Sequence, residues 1–228
     1  MQTLVGHKTN VRCIDFHPYG QFMTSGSFDT SIKLWDYRKK GCVCTYRAHS
    51  KEVHCLKMSP DGRWIASGGN EGNVVIYDIV AGKIITELKG HGASITDVVF
   101  HPEEFLLASS SLDGTVKFWD LEQHQQISSS TYSSDMGPVR KIGFHPTGKA
   151  LCASGRDCLK VFHWEPMKVY DTVRVTWGRP NDVAVLDQQL ISCSYSTTNV
   201  SVFVVDLVNV SPFGSNNSAK STRDSPLK

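Results

Sequence analysis

Short apolar runs alternate with polar residues along most of this chain, and turn residues separate them at regular distances. Successive side chains of a strand point to opposite faces, so a period of two between turn signals predicts short β-strands. Val11–Phe16 is the first of these, and Pro18-Tyr19-Gly20 supplies its turn. Gln21–Ser25, a turn at Asp29-Thr30 and Ile32–Trp35 follow. The same order returns as Val53–Met58, Trp64–Ser67 and Val74–Asp78, and again as Ile95–Phe100, Phe105–Ser109 and Val116–Asp120. Cys42–Arg47, Ile84–Leu88 and Gln125–Thr131 are predicted fourth strands of these three groups. A weaker fourth group comprises Val139–Phe144, Ala150–Ser154 and Leu159–His163, and a fifth Asp182–Leu186, Leu190–Ser194 and Val200–Asp206.

The grouping is a true repeat. His7, His49 and His91 lie 42 residues apart, and Asp36, Asp78 and Asp120 keep the same interval. Phe16-His17-Pro18, Met58-Ser59-Pro60 and Phe100-His101-Pro102 step with them, and Phe144-His145-Pro146 follows 44 residues later. A period in the low forties, with Gly-His near the start and Trp-Asp near the end, resembles the WD repeat, in which each copy is one four-stranded propeller blade. The fold class expected is therefore all-β, a WD-repeat β-propeller with about five four-stranded blades. Its repeats fall at about 6–47, 48–89, 90–132, 133–174 and 175–210, and a disordered tail or linker start is expected over 211–228. Gln2–Val5 stands where an outer strand would precede the first Gly-His. Since WD rings generally favour seven blades, the five are expected to be part of a larger, six- to seven-bladed ring.

Composition narrows the picture modestly. The chain has 228 residues, and 24 Lys and Arg against 22 Asp and Glu give a net charge of +2, so no overall field announces a nucleic-acid partner. Seven scattered cysteines without a CxxC pair read as reduced thiols of a cytosolic or nuclear protein, and Cys42 and Cys44 are expected on one face of a strand. No apolar run approaches the roughly eighteen residues that span a bilayer, so no membrane partner is expected. No phosphate-binding G-x-x-x-x-G-K-[ST] loop occurs, and no cofactor or metal site is expected.

Aligned repeats place His7, Ser25, Asp29 and Trp35 opposite His91, Ser109, Asp113 and Trp119. The WD resemblance implies that such residues form a buried relay from Asp to His, His to Ser and Ser to the Trp indole. Repeat two keeps His49 and Ser67 but has Glu71 for the Asp and Tyr77 for the Trp, and a looser blade is expected there. Ser, His and Asp in one set also fit a hydrolase. Their recurrence in successive blades, each ending on an aromatic, favours scaffolding, and no catalytic residue is assigned. His17, His101 and His145 sit in equivalent loops of different blades, where diverging side chains would share no metal.

Particular wording adds a closer resemblance. The segments 10–42 and 98–122, and the degenerate "VFHWEPMKVYDTVRVTWGRPNDVAVLDQQLI" of 161–191, resemble the regulatory WD-repeat subunit of katanin, the microtubule-severing complex. The resemblance covers about residues 1–210. It implies a non-enzymatic adaptor whose propeller directs an AAA-type ATPase subunit to centrosome and spindle-pole microtubules, in the cytoplasm and cytoskeleton. The partners implied are that ATPase, bound mainly through a C-terminal helical region absent here, together with tubulin and centrosomal or spindle-pole proteins. The rival readings are a generic WD scaffold of another assembly, such as a ubiquitin ligase or chromatin complex, and an enzyme using one Ser/His/Asp set.

Propellers commonly bind partners on the face carrying the loops into the innermost strands. Asn10, Arg12, Glu52, His54, Ser94, Thr96 and Arg140 flank those strand starts and form the candidate partner-binding face; solvated strand ends are the plain alternative. Arg38, Lys39 and Lys40 form a second, basic candidate patch on an exposed turn, where a merely solvated face is the alternative.

Overall fold

The computed structural model describes residues 3–39 and 41–213. Among these the chain is all-β apart from one short 3-10 turn, Leu207–Asn209. The first blade comprises β1 (Val11–Phe16), β2 (Phe22–Ser27), β3 (Ile32–Asp36) and β4 (Gly41–Tyr46), antiparallel and in that order. The second comprises β5 (Val53–Met58), β6 (Trp64–Gly69), β7 (Asn73–Asp78) and β8 (Lys83–Lys89). The third is β9 (Ile95–Phe100), β10 (Leu106–Ser111), β11 (Val116–Asp120) and β12 (Gln125–Ser129). The fourth is β13 (Lys141–Phe144), β14 (Leu151–Ser154), β15 (Cys158–Trp164) and β16 (Met167–Arg174). The fifth holds three strands among the described residues, β17 (Asp182–Val185), β18 (Gln189–Tyr195) and β19 (Val200–Asp206), where four were expected.

Innermost strands β1, β5, β9, β13 and β17 adjoin in sequence order around the axis, which makes the fold a WD-repeat propeller arrangement of five blades. A blade has two faces and cannot cover either alone, so each core cluster is shared between neighbours. Ile32 and Leu34 of blade one pack with Val53, Ile65 and Tyr77 of blade two. Ala66 and Ile76 meet Ile95, Leu107 and Trp119 across the next junction. Phe118 meets Leu151, Phe162 and Trp164 across the third, with Phe118 and Trp164 stacked at 5.7 Å. Each fully buried side chain of this size contributes about 1.5–3 kcal/mol, so stability resides in the junctions. The outward faces of the two end blades are uncovered: Ile14 and Phe16 on β1, and Val202 and Val204 on β19, are more than half exposed.

Several expectations require correction. Thr3–Val5 lie in no strand, and Gln2 is outside the described residues. Of the residues expected in the tail, Phe213 stacks on His145 at 4.1 Å and packs against the last core cluster; the remainder of that expectation, 214–228, lies outside the described residues. The fourth strand of repeat four, β16, expected from the four-stranded blade, was given no position from the sequence, although Met167, Val169 and Val173 carry its alternation. Cys42 and Cys44 do not share a face. The β3–β4 register shifts between Leu34 and Trp35, so Cys44 packs on the core while Cys42 is exposed and reaches Thr45 Oγ1.

Candidate functional site

Local turns set the polar groups of each blade. In blade one His7 Nδ1 lies 3.0 Å from Asp29 Oδ2 and His7 Nε2 lies 2.7 Å from Ser25 Oγ. The Trp35 indole donates to the same Ser25 oxygen at 2.7 Å. Blade three repeats this: His91 to Asp113 at 2.9 Å, His91 to Ser109 at 2.9 Å, and Trp119 to Ser109 at 2.8 Å. A consistent proton order follows, with Nδ1–H donating to the carboxylate and Ser O–H donating to Nε2. Asp29 also accepts from Lys8 N and from Ser31, and Asp113 from Gly92 N and Thr115. Burial works against ionisation of both carboxyls, but these bonds outweigh it and hold both below the usual carboxylate range. Burial pushes His91 down, with Asp113 opposing, so the imidazole favours its neutral form.

Blade two has the substitutions. His49 pairs with Glu71 and lies 2.6 Å from Ser67, but the Ser67–Tyr77 link stretches to 3.4 Å. Glu71 Oε2 is buried without a partner. The longer acid and the phenol thus join the relay less fully than Asp and Trp do. Blade four has no His at the relay position; Ser154 bonds the Lys141 carbonyl, and Asp157 accepts from Gly178 N.

These sets occupy separate blades, and their serines are closed off. Ser25 is 3 % exposed, Ser67 and Ser109 0 %, and each hydroxyl already bridges His to an aromatic. No substrate carbonyl reaches a hydroxyl so placed. Among the described residues, no cluster of three or more His, Cys, Asp or Glu is arranged to hold a metal.

The loop histidines have a role that the sequence did not convey. His101 and His145 are buried, and each Nε2–H donates at 2.9 Å to a carbonyl of the next blade, Gly148 for one and Asp187 for the other. Expected as separate loop side chains, they instead stitch consecutive blades. Their Nδ1 atoms accept locally, from Glu103 N and Glu104 N for His101 and from Thr147 for His145, which fixes the tautomer. Gly62 and Gly148, at φ +74° and +70°, provide the close approach for His17 and His101. The available signal was the Pro-x-Gly turn one repeat after two of the three Phe-His-Pro steps, Pro60-Asp61-Gly62 after His17 and Pro146-Thr147-Gly148 after His101; His145 meets Asp187 without one. Pro18, Pro60, Pro102 and Pro146 converge with Phe16 and Phe144 on an apolar hollow of about 340 Å³ at this end of the axis.

At the opposite end, where the inner strands begin, a basin of about 890 Å³ opens along the axis. Arg12, His54, Ser94, Thr96 and Arg140 line it; Asn10 and Glu52 stand outside its lining. Thr96 is tied into the wall through Ser110 Oγ and the Val139 carbonyl, each at 2.8 Å, and Glu52 accepts from Asn70 at 3.0 Å. Arg38 and Lys39 are exposed on the β3–β4 turn, at the far end of the axis from this basin; Lys40 lies outside the described residues.

The family model described as "WD domain, G-beta repeat" matches residues 1–36, 40–78 and 82–120. The chain is 48% identical over 77 residues to the katanin p80 WD40 repeat-containing subunit B1 of Xenopus tropicalis, across 34% of this chain and 12% of that protein. It is 43% identical over 74 residues to the katanin p80 subunit homolog KTN80.3 of Arabidopsis thaliana, across 32% of this chain and 9% of that protein. It is also 50% identical over 46 residues to nuclear distribution protein nudF 1 of Talaromyces marneffei, across 20% of this chain and 10% of that protein. The matched stretches thus span a small part of each relative. With three matched repeats occupying half of its length, the chain belongs to the WD-repeat family.

Proposed function

We propose that this chain is a non-catalytic adaptor of the katanin type, whose blades direct an AAA ATPase subunit to microtubules at the centrosome and spindle pole. Identity of 48% over 77 residues to a katanin p80 subunit carries this reading. The interior gives it physical support, because Ser, His and acid groups are consumed in holding blades together, while the broad polar basin stays open. What remains for such a molecule to do is bind. The cytoplasmic and cytoskeletal location belongs to the same proposal, as do tubulin and spindle-pole partners. A generic WD scaffold is the second reading, favoured by the 50% identity to nudF 1 over 46 residues, since blades of unlike proteins share their repeat residues.

Affinity capture of the endogenously tagged gene product from dividing cells discriminates between them. Recovery of the AAA ATPase with tubulin is the expected result. Recovery of ubiquitin-ligase or chromatin subunits in their place contradicts it.

A further inference from the structure

Three arginines stand at the open end of the axial basin, none of them in an ion pair among the described residues. Arg12 on β1 and Arg140, just before β13, line it, and Arg179 immediately precedes the lining residues Pro180 and Asn181. Nearby lysines are engaged: Lys57 with Asp15 at 3.5 Å, and Lys141 with Asp97 at 3.4 Å and Asp182 at 4.0 Å. Among the described residues, no ion pair involves Arg12, Arg140 or Arg179. Burial, and then the charge of Arg179, hold half-buried Arg140 below the ordinary guanidinium range. Like charges gathered in this way favour an incoming anion. Tyr195, 66 % exposed on the same basin, adds an aromatic contact surface. Arginine and tyrosine are, with tryptophan, enriched among the side chains that carry protein-binding energy.

We propose that the basin receives an extended acidic peptide segment, with Asp or Glu carboxylates on Arg12, Arg140 and Arg179 and a flanking apolar side chain on Tyr195. Guanidinium forks match carboxylates geometrically, whereas a lysine offers only a point charge. A nucleic acid fits less well. Its phosphate at every nucleotide would meet Asp182 in the lining and Glu52, which accepts from the lining residue Asn70, and the chain's net charge of +2 supplies no compensating field. This assignment rests on the adaptor reading and specifies its partner's chemistry.

The test is fluorescence anisotropy of the full chain with a fluorescein-labelled Gly-Ser peptide carrying several glutamates, beside the same peptide with serine at those places. The glutamate peptide is expected to bind, and its Kd to rise steeply with salt. Joint Arg12→Glu and Arg179→Glu substitution should raise Kd about tenfold or more. Joint Arg38→Glu and Lys39→Glu substitution, at the other end of the axis, should leave it unchanged. If the double variant melts early, exposed Arg12→Gln alone should still weaken binding. Equal affinity for the serine peptide, loss through positions 38 and 39 only, or tighter binding of an oligothymidylate overturns the proposal. Capture of the severing ATPase and tubulin alongside failed glutamate-peptide binding would overturn it and leave the adaptor reading standing. Glutamate-peptide binding with ligase subunits captured would do the reverse.

Discussion

At the scale of single residues, the chain places ionisable groups where they must hold one protonation state. Asp29 and Asp113 ionise more readily in the fold than outside it, and His91 holds its proton less readily. His54 shifts in the same direction as His91, through burial and then Arg12. A lowered folded pKa means that the unfolded chain binds more protons, so stability falls as pH falls. For the histidines, the loss begins below the ordinary value of 6.5; for the carboxyls, the contribution is complete above 3.8 and is lost as pH drops through their lower folded values. The melting temperature should therefore decline from pH 8 to pH 5 and fall again in stronger acid. Thermal scans of His91→Gln should show a shallower upper step; a melting temperature that rises on acidification to pH 5 contradicts the assignment. The participants were legible because their 42-residue spacing set His7, Ser25, Asp29 and Trp35 opposite His91, Ser109, Asp113 and Trp119. The partial isolation of Glu71 was legible only as a substitution, since the orphaned Oε2 depends on three-dimensional reach.

At the scale of strands and turns, alternation identified the inner and middle strands, because these carry apolar side chains into the blade junctions and are bounded by short polar turns. It missed β16, whose Lys168 and Asp171 and exposed outer position weaken the apolar signal. The bulge that separates Cys42 from Cys44 also left no mark in composition, because a shifted register is a property of a pair of strands. The inter-blade histidines were hidden for a similar reason. A loop histidine reads as solvated until the following blade closes over it, and only then does the His101 Nε2–H find Gly148. Gly148→Ala tests this contact. Its Cβ would stand 2.7 Å from the His101 ring at a backbone φ of +70°, so strain and clash coincide. A loss of about 1–3 kcal/mol in urea unfolding is expected; unchanged stability would show that the blades are not joined at this point.

At the scale of the whole molecule, four shared core clusters make each blade dependent on its neighbour, and the hollows at the two ends of the axis differ in chemistry. One end of the axis gathers proline and phenylalanine, and the other gathers unpaired arginine. The nearly neutral net charge does not disclose that polarity, because opposite ends of the same inner strands carry it. The uncovered outer faces of β1 and β19 follow from the same architecture, since a blade without a neighbour shows its apolar side. The account depends above all on the polar relays being mortar and not a reaction centre. Thermal unfolding of Ser109→Ala in the full chain tests this most directly, since Ser109 is fully buried between the His91 imidazole and the Trp119 indole. Stripping both groups of their partner should cost about 1–3 kcal/mol, read as a clear drop in melting temperature. A melting temperature equal to that of the unsubstituted chain would contradict the account.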